Sequence, residues 1–157
     1  MNKIPVLEYI KKMIVGTLTE ETITTMKYPT AISKTLKMEI SEIDFGKATV
    51  LIDADNEIHG NQQGTIHGGL LCELADAAIG TAHSTIVGED ETFTSLEFKI
   101  NFFRPVWKDT LKAFAFPVQS GKTITVYNCE IKNTQGKVVA LASSTVMTLR
   151  GDKAIGR

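Results

Sequence analysis

The clearest hydrophobic pattern in the sequence is a helical period between Gly68 and Ser84. At about 100° per residue, apolar side chains fall on one face of this segment, and small or polar residues form the opposite ridge. The apolar face comprises Leu70, Leu71, Leu74, Ala75, Ala78 and Ala82. The ridge comprises Gly69, Cys72, Asp76, Gly80 and His83. The pattern predicts a long central helix whose thin ridge lets another backbone or a ligand approach closely.

Shorter elements are predicted before this helix. Residues 5–28 open with apolar side chains at three- and four-residue spacing, which predicts a short helix ending near Gly16. Residues 31–43 roughly alternate between polar and apolar, which predicts a half-buried strand. The turn at residues 44–46 then joins it to a second strand over residues 47–54, so that the two form a hairpin.

Four strand-like segments follow the central helix, and short turns rich in Gly, Pro, Asp or Asn join them. Because the connections are short, we expect these strands to form an antiparallel meander. The segments are residues 92–104, 109–119, 123–133 and 137–149. One curved sheet of about six strands against one helix is the simplest layered arrangement, an α+β fold.

Composition narrows the class of protein. A chain of 157 residues, 43% hydrophobic and 22% charged, is typical of one globular domain. A net charge of −1 without a basic block argues against nucleic acid or an acidic membrane surface as partner. No stretch approaches the roughly 20 apolar residues of a spanning helix, and two cysteines fit a reducing compartment. We expect a cytoplasmic protein with a helical lead-in (1–30), one main domain (31–150) and a short tail (151–157).

The common catalytic signatures are missing from the sequence. It contains no G-x-S-x-G or H-E-x-x-H motif, and His59, His67 and His83 lack metal-ligand spacing. We expect His59 and His83 at the surface or at an interface. Residues 120–123 end like a phosphate-binding loop, but they lie between strands and lack its first Gly. We therefore expect no metal or redox cofactor.

The junction between the polar loop at residues 55–67 and the central helix carries the candidate chemistry. The first N–H groups of a helix are unpaired and partly positive, which suits them to polarising a carbonyl and holding an oxyanion. Asp76 lies about 10 Å along the helix from Gly69 at 1.5 Å per residue, too far to act at its own helix N-terminus. It can act there if a second copy packs antiparallel against the ridge, so the geometry predicts a dimer whose chains share a site.

The run N-x-x-G-x-x-H-G-G-x-x-x-x-L-x-D, from Asn61 to Asp76, resembles the hotdog-fold acyl-CoA thioesterases, specifically the PaaI-like branch of the phenylacetate pathway. The resemblance covers about residues 31–149 in order. It continues at residues 94–97, Arg104-Pro105, Leu111–Ala113, Gly121-Lys122-Thr123 and residues 136–140. It implies the hotdog fold, in which a curved antiparallel sheet wraps a long central helix, and a homodimer or homotetramer.

The resemblance also implies roles for individual residues. Gly68 supplies the oxyanion-hole N–H, with His67 and Asn61 shaping the site. Asp76 of the partner subunit acts as nucleophile or general base, and Ser95 orients the attacking water. The residues implied in binding substrate or CoA are Gly69, Arg104, Gly121, Lys122 and Thr123.

The implied activity is hydrolysis of an acyl-CoA thioester to a carboxylic acid and CoA, with CoA as part of the substrate and no other cofactor. Three alternatives stay open: an acyl-CoA-binding module without catalysis, a hydratase or dehydratase of the same fold, and a structural oligomer. Asp76 and the lack of an added DNA-binding segment weigh against the first. The second needs an Asp-plus-His pair that is not found after residues 44–46. The acyl group is not determined by the residues.

Overall fold

In the computed structural model, which describes residues 1–155, a six-stranded antiparallel sheet wraps one long helix. The helices are α1 (Val6–Ile14), α2 (Ala31–Leu36), α3 (Asn56–His59) and α4 (Gly68–Ser84), followed by a 3-10 helix, Gly151–Ala154. The strands are β1 (Asn2–Lys3), β2 (Thr22–Ile23), β3 (Glu39–Asp44), β4 (Lys47–Asp55), β5 (Thr92–Phe102), β6 (Lys108–Ser120), β7 (Ile124–Lys132) and β8 (Val138–Leu149). Strands β1 and β2 pair separately, in parallel. The expected α+β hotdog fold is confirmed.

The central helix α4 has the bounds that the apolar period predicts. Its apolar face packs into the concave side of the sheet, where Leu74, Ala78 and Ala82 are fully buried. The helix begins where the His67 side chain accepts a hydrogen bond from the Gly69 N–H. It ends at Thr85, whose hydroxyl donates to the Ala82 carbonyl.

The strand order is β3-β4-β6-β7-β8-β5, so the predicted four-stranded meander is wrong. Strands β6, β7 and β8 do form a meander, but β5 lies at the far edge and pairs with β8. Residues 103–107 cross the end of the sheet between β5 and β6. An extended chain spans about 3.4 Å per residue, so this connection can cover three strand spacings of about 4.8 Å each.

The prediction of one strand over residues 31–43 is also wrong. Helix α2 occupies the first half of that range, because the Thr30 hydroxyl caps it by accepting the Ser33 N–H. Lys37, with a φ of 56°, ends the helix, and β3 begins only at Glu39.

Helix α1 is shorter than the predicted helical lead-in (1–30), but it ends where the sequence predicts. Helix α1 stops at Ile14, just before Gly16, whose φ is 68°. Val6 and Ile10 are buried, and α1 packs against β3. The N-terminal region is therefore docked on the main sheet. Of the predicted tail (151–157), the last two residues lie outside the described range.

His83 is fully buried, so its predicted position at a surface or interface is wrong. Its Nδ1 lies 3.2 Å from the Tyr127 hydroxyl and its Nε2 lies 3.0 Å from the Thr148 hydroxyl. The Phe93 ring packs edge-on against the imidazole. Strands β5, β7 and β8 thus cover the ridge of α4 at its C-terminal end. Burial lowers the pKa of His83 to about 4, against a smaller upward effect of the Glu91 charge.

The buried imidazole makes the free energy of unfolding depend on pH. Between the ordinary His pKa of 6.5 and the folded value of about 4, the unfolded chain binds a proton that the folded chain does not. Stability therefore falls as the pH drops through this window, by up to about 3 kcal/mol. We expect His83→Gln to flatten this slope in denaturant unfolding measured across the window. Equal slopes for the two proteins would contradict a neutral buried His83.

Candidate active site

The N-terminus of α4 leaves the Gly68 N–H available to a ligand. The N–H groups around it have acceptors: His67 N–H donates to His59 O, Gly69 N–H to His67 Nδ1, and Leu70 N–H to His67 O. Within residues 1–155, the Gly68 N–H makes no hydrogen bond to the protein. This donor sits at the positive end of the helix dipole, where it can bind a carbonyl oxygen or an oxyanion.

The two glycines and His67 shape this donor site. A Cβ on Gly68 would lie 3.1 Å from the Phe102 ring, and one on Gly69 would lie 2.9 Å from His67 Nδ1. The backbone is therefore too closely packed for a larger side chain without rearrangement. Because His67 Nδ1 accepts the Gly69 N–H at 2.9 Å, the neutral ring carries its proton on Nε2. The histidine thus caps the helix and holds its first turn in place.

Asn61 holds the loop that leads into the helix. Its Oδ1 accepts hydrogen bonds from the Gln63 N–H at 2.9 Å and the Thr65 N–H at 3.2 Å. Its Nδ2 donates to the Thr65 hydroxyl at 3.0 Å. The side chain thereby fixes the turn before Ile66, whose N–H donates to Val106 O at 2.7 Å.

Asp76 lies on the flank of α4 that faces away from the sheet core, in a cleft of about 580 Å³. Glu73, Ala77 and Gly80 line the same side of this cleft. Asp76 is exposed in a single chain, but the atoms of the cleft partly desolvate its carboxylate and raise its pKa. Burial, and secondly the charge of Asp76, raises the pKa of Glu73. A desolvated carboxylate is a stronger base, which suits Asp76 to proton abstraction or nucleophilic attack.

One copy of the chain does not bring Asp76 to the Gly68 N–H. Both residues belong to the same uninterrupted helix, and eight residues of helix rise about 12 Å. Within one chain, the carboxylate and the donor therefore lie too far apart to act on the same group of a substrate.

The remaining predicted residues lie in two places on the sheet. Ser95 is exposed on β5, beside a register shift between Ser95 and Glu97, and is not among the residues that line the Asp76 cleft. Arg104 follows β5, and its Nη1 donates to the Val138 carbonyl at 2.6 Å. Phe102, two residues earlier, touches Gly68, so Arg104 lies near the N-terminus of α4.

The turn at Gly121, Lys122 and Thr123 lies at the opposite end of the sheet. Ile124 pairs with Met147 on β8, whereas Phe102 pairs with Ala140 on the same strand. Seven residues of strand separate these positions by about 24 Å. The two groups of predicted CoA-binding residues therefore do not meet within one chain.

Some residues of the cleft have no counterpart in the sequence analysis. Glu73 stands three residues before Asp76, a spacing that places both on one helix face. This spacing could have identified Glu73 as a residue of the cleft. Met13, Met26 and Tyr28 line the opposite side of the cleft and belong to no recognisable motif. Their approach to Asp76 depends on long-range packing.

Comparison with known proteins identifies the family. The sequence model of the Thioesterase superfamily matches residues 63–140. Acyl-coenzyme A thioesterase PaaI of Escherichia coli K12 is 35% identical over 112 residues, 71% of this chain and 77% of the relative. The 1,4-dihydroxy-2-naphthoyl-CoA hydrolase of Listeria monocytogenes is 27% identical over 117 residues, 73% of this chain and 93% of the relative.

The solved structure of the E. coli PaaI protein has a TM-score of 0.73 and 29% sequence identity to this chain, covering 92% of this chain and 97% of that one. Fold and site thus define a protein of the hotdog class. The chain belongs to the thioesterase superfamily, and the expectation of a thioester hydrolase is confirmed.

Two further observations concern the described residues as a whole. No helix within residues 1–155 has the length and apolar character needed to cross a membrane. Over the same residues, no three His, Cys, Asp or Glu side chains are grouped so that they could hold a metal ion.

The partial desolvation of Asp76 predicts a stability cost at neutral pH. Its folded pKa is raised above the ordinary 3.8, so the associated stability is present below that value and is lost as the pH rises through the folded pKa. Asp76→Asn removes this partly desolvated charge. Because the residue is exposed and solvent screens its charge, we expect only a small rise in the unfolding temperature at neutral pH, and none in acid below the ordinary Asp pKa.

Asp90→Asn is the matched control, because Asp90 lies in an exposed turn away from the cleft. Differential scanning calorimetry at the two pH values gives the comparison. An Asp76→Asn protein less stable than the parent at neutral pH would contradict a destabilising carboxylate at this position.

Proposed function

We propose that this chain hydrolyses acyl-CoA thioesters to a carboxylic acid and CoA, at sites that each draw residues from two copies. The observation that carries the proposal is the unpaired Gly68 N–H on the same helix as the Asp76 carboxylate, which lines the cleft and whose pKa is raised by desolvation. An oxyanion donor and a base are the two groups that acyl transfer requires. The helix separates them by about 12 Å, so a second copy must complete each site.

The activities after which two relatives are named support CoA thioesters as substrates. The E. coli relative is an acyl-coenzyme A thioesterase, and the Listeria relative is a hydrolase of a naphthoyl-CoA. The two names differ in the acyl group and share the CoA carrier. They favour the CoA thioester as the common element that this chain also recognises.

The free edge of β5 supports the pairing of two copies. Within residues 1–155, β5 pairs with β8 on one side only. It is eleven residues long, and Leu96, Phe102 and Phe103 at or next to it are about half exposed, at 51–53%. A long apolar edge strand has unpaired backbone groups that can pair with a strand of another chain. Pairing with β5 of a second copy would place that copy beside Gly68, because Phe102 already touches this glycine.

A further pairing of dimers is compatible with the outer face of the sheet. Phe114 and Phe116 stack on this face with ring centroids 5.3 Å apart, and Phe114 is exposed. Covering this apolar pair with a second dimer would give the tetramer that is the alternative to a simple dimer.

The proposed reaction begins when the Gly68 N–H donates a hydrogen bond to the thioester carbonyl oxygen. Asp76 of the partner subunit then either attacks the carbonyl carbon or takes a proton from a water that does so, oriented by Ser95. A carbon–oxygen bond forms and the carbon–sulfur bond breaks. The CoA thiolate leaves and is protonated. Direct attack gives an acyl-Asp anhydride that a water must then hydrolyse.

Removing the carboxylate tests the chemistry. We expect Asp76→Ala to lower kcat for thiol release at least a hundredfold across a panel of acyl-CoAs, because the base or nucleophile is lost. Asp76→Asn should lose turnover but still bind the substrate. Wild-type kcat in Asp76→Ala would overturn the mechanism, and binding without thiol release by the natural protein would indicate an acyl-CoA-binding module instead.

Subunit complementation tests the shared site. Gly68→Pro removes the N–H at a helix position that tolerates proline, and it should be inactive, as should Asp76→Ala. After the two inactive proteins are mixed and exchange subunits, half of the dimers are mixed and one of their two sites is intact. We therefore expect recovery of about a quarter of wild-type activity.

Gly68→Ala is the matched control, since it adds the same Cβ beside Phe102 but keeps the N–H. It should retain more activity than Gly68→Pro. A mixture no more active than its two components, with subunit exchange demonstrated by mass, would show that each site is built from one chain.

A further inference from the structure

The cleft at Asp76 has a second wall that the chemistry above does not use. Residues 13–14 and 26–33, here called the N-terminal wall, stand opposite α4 across the cleft. Met13, Met26, Tyr28 and Ile32 are among the residues that this wall contributes. The wall lies outside residues 63–140, which match the family.

We infer that the space between the N-terminal wall and α4 is the binding site for an uncharged, hydrophobic acyl group, and that the wall sets the length and shape accepted there. The inference rests on the proposed function, because it assigns the acyl part of the same substrate. The cleft volume of about 580 Å³ is in the range of sites that enclose small ligands.

The lining of the cleft is apolar and adaptable. Three of the five methionines of the chain line it: Met13, Met26 and Met38. Methionine is unbranched and flexible, so a surface rich in it adjusts to ligands of different shape. Val50 and the Phe93 ring complete the apolar lining. This surface matches an aliphatic or aromatic acyl group rather than a polar one.

The charged groups at the cleft disfavour an anionic acyl group. Glu73 and Asp76 line it from α4, and Glu39 lines it from β3. Among the described residues, Lys27 is the one cationic side chain that faces these carboxylates. An acyl group ending in a second carboxylate would meet more like than opposite charge, at a site where partial burial strengthens the repulsion.

The N-terminal wall is anchored to the helix across the cleft. The Tyr28 hydroxyl donates a hydrogen bond to Ser84 Oγ at 2.6 Å, and Ser84 Oγ donates to the Thr81 carbonyl at 2.7 Å. Burial raises the pKa of Tyr28, so the hydroxyl keeps its donor proton at neutral pH. Just before the wall, α1 is anchored by Ile10, whose side chain is fully buried. The N-terminal wall is therefore held in a fixed position at the cleft.

Gly80 offers a way to shorten the cleft without disturbing the fold. It lies on α4 among the lining residues, and a Cβ there would meet only the Phe93 ring, at 3.9 Å. This is ordinary van der Waals contact. Replacing Gly in a helix interior also improves helix propensity, so Gly80→Leu should fold and place its side chain in the acyl space.

The test compares kcat/KM for acetyl-, octanoyl-, decanoyl- and glutaryl-CoA. We expect the ratio of kcat/KM for decanoyl-CoA to that for acetyl-CoA to fall at least tenfold in Gly80→Leu. The Leu side chain would occupy the space of a few methylene groups of the decanoyl chain in an apolar site. Met26→Ala should shift the preference toward bulkier acyl groups. Glutaryl-CoA, whose acyl group ends in a carboxylate, should be a poorer substrate than octanoyl-CoA for the natural protein.

Val15→Ala is the matched control, since Val15 is 68% exposed beside α1 and does not line the cleft. It should leave the chain-length ratio unchanged. A ratio within twofold of wild type in a folded Gly80→Leu protein would overturn the inference while leaving the proposed hydrolysis intact.

A binding measurement separates this inference from the proposed function. Decanoyl-CoA and acetyl-CoA are titrated by calorimetry into Asp76→Asn and into the double variant Asp76→Asn/Gly80→Leu. We expect the second substitution to weaken decanoyl-CoA binding at least tenfold and acetyl-CoA binding far less. If the natural protein hydrolyses nothing, the proposed function fails, but this difference would still support the acyl site. Equal weakening of both ligands, or of neither, would overturn it.

Discussion

The burial of one face of α4 in the concave side of the sheet is the constraint on which the rest of the structure depends. Leu74, Ala78 and Ala82 are fully buried there, so the helix can neither rotate nor shift without opening the core. Its other flank must then carry Asp76 away from the sheet. Because an α-helix rises about 1.5 Å per residue, the same rigidity keeps that carboxylate from the Gly68 N–H. If the two groups act together, as proposed, the requirement for a second copy follows from the packing of a single helix.

The candidate site also contains the features that a purely structural helix would avoid. Among the described residues the Gly68 N–H has no partner, although the N–H groups of His67, Gly69 and Leu70 are paired. Two carboxylates, Glu73 and Asp76, stand one helical turn apart and are partly withdrawn from water, which raises the pKa of both. An unpaired N–H is usual in the first turn of a helix, but two carboxylates of raised pKa on one helix face are unfavourable, and such exceptions concentrate at functional sites. Their position on one rigid helix is consistent with the proposed reaction.

How far the sequence predicts the fold depends on whether a feature is local. The bounds of α4 were predictable because its apolar period runs for seventeen residues without interruption. Helix α2 was missed because Ile32 and Leu36, four residues apart, fit a helix and a strand equally well; the Thr30 cap was the signal that separates them. The place of β5 beside β8, and the burial of His83 beneath them, depend on pairing between distant segments, which no local pattern contains.

The same distinction between local and long-range features applies to the candidate site. The junction from Asn61 to Gly69, with Asp76 two turns into the helix, is continuous in sequence, and this continuity made it a visible motif. The N-terminal wall reaches the cleft only after α1 has docked on β3 and Tyr28 has bonded to Ser84, 56 positions away. Reaction geometry is thus held by local backbone, and the proposed acyl cleft is closed by a segment that reaches it through long-range packing. On this physical ground, substitutions in the N-terminal wall should change the acyl group that is accepted without changing the bond that is broken.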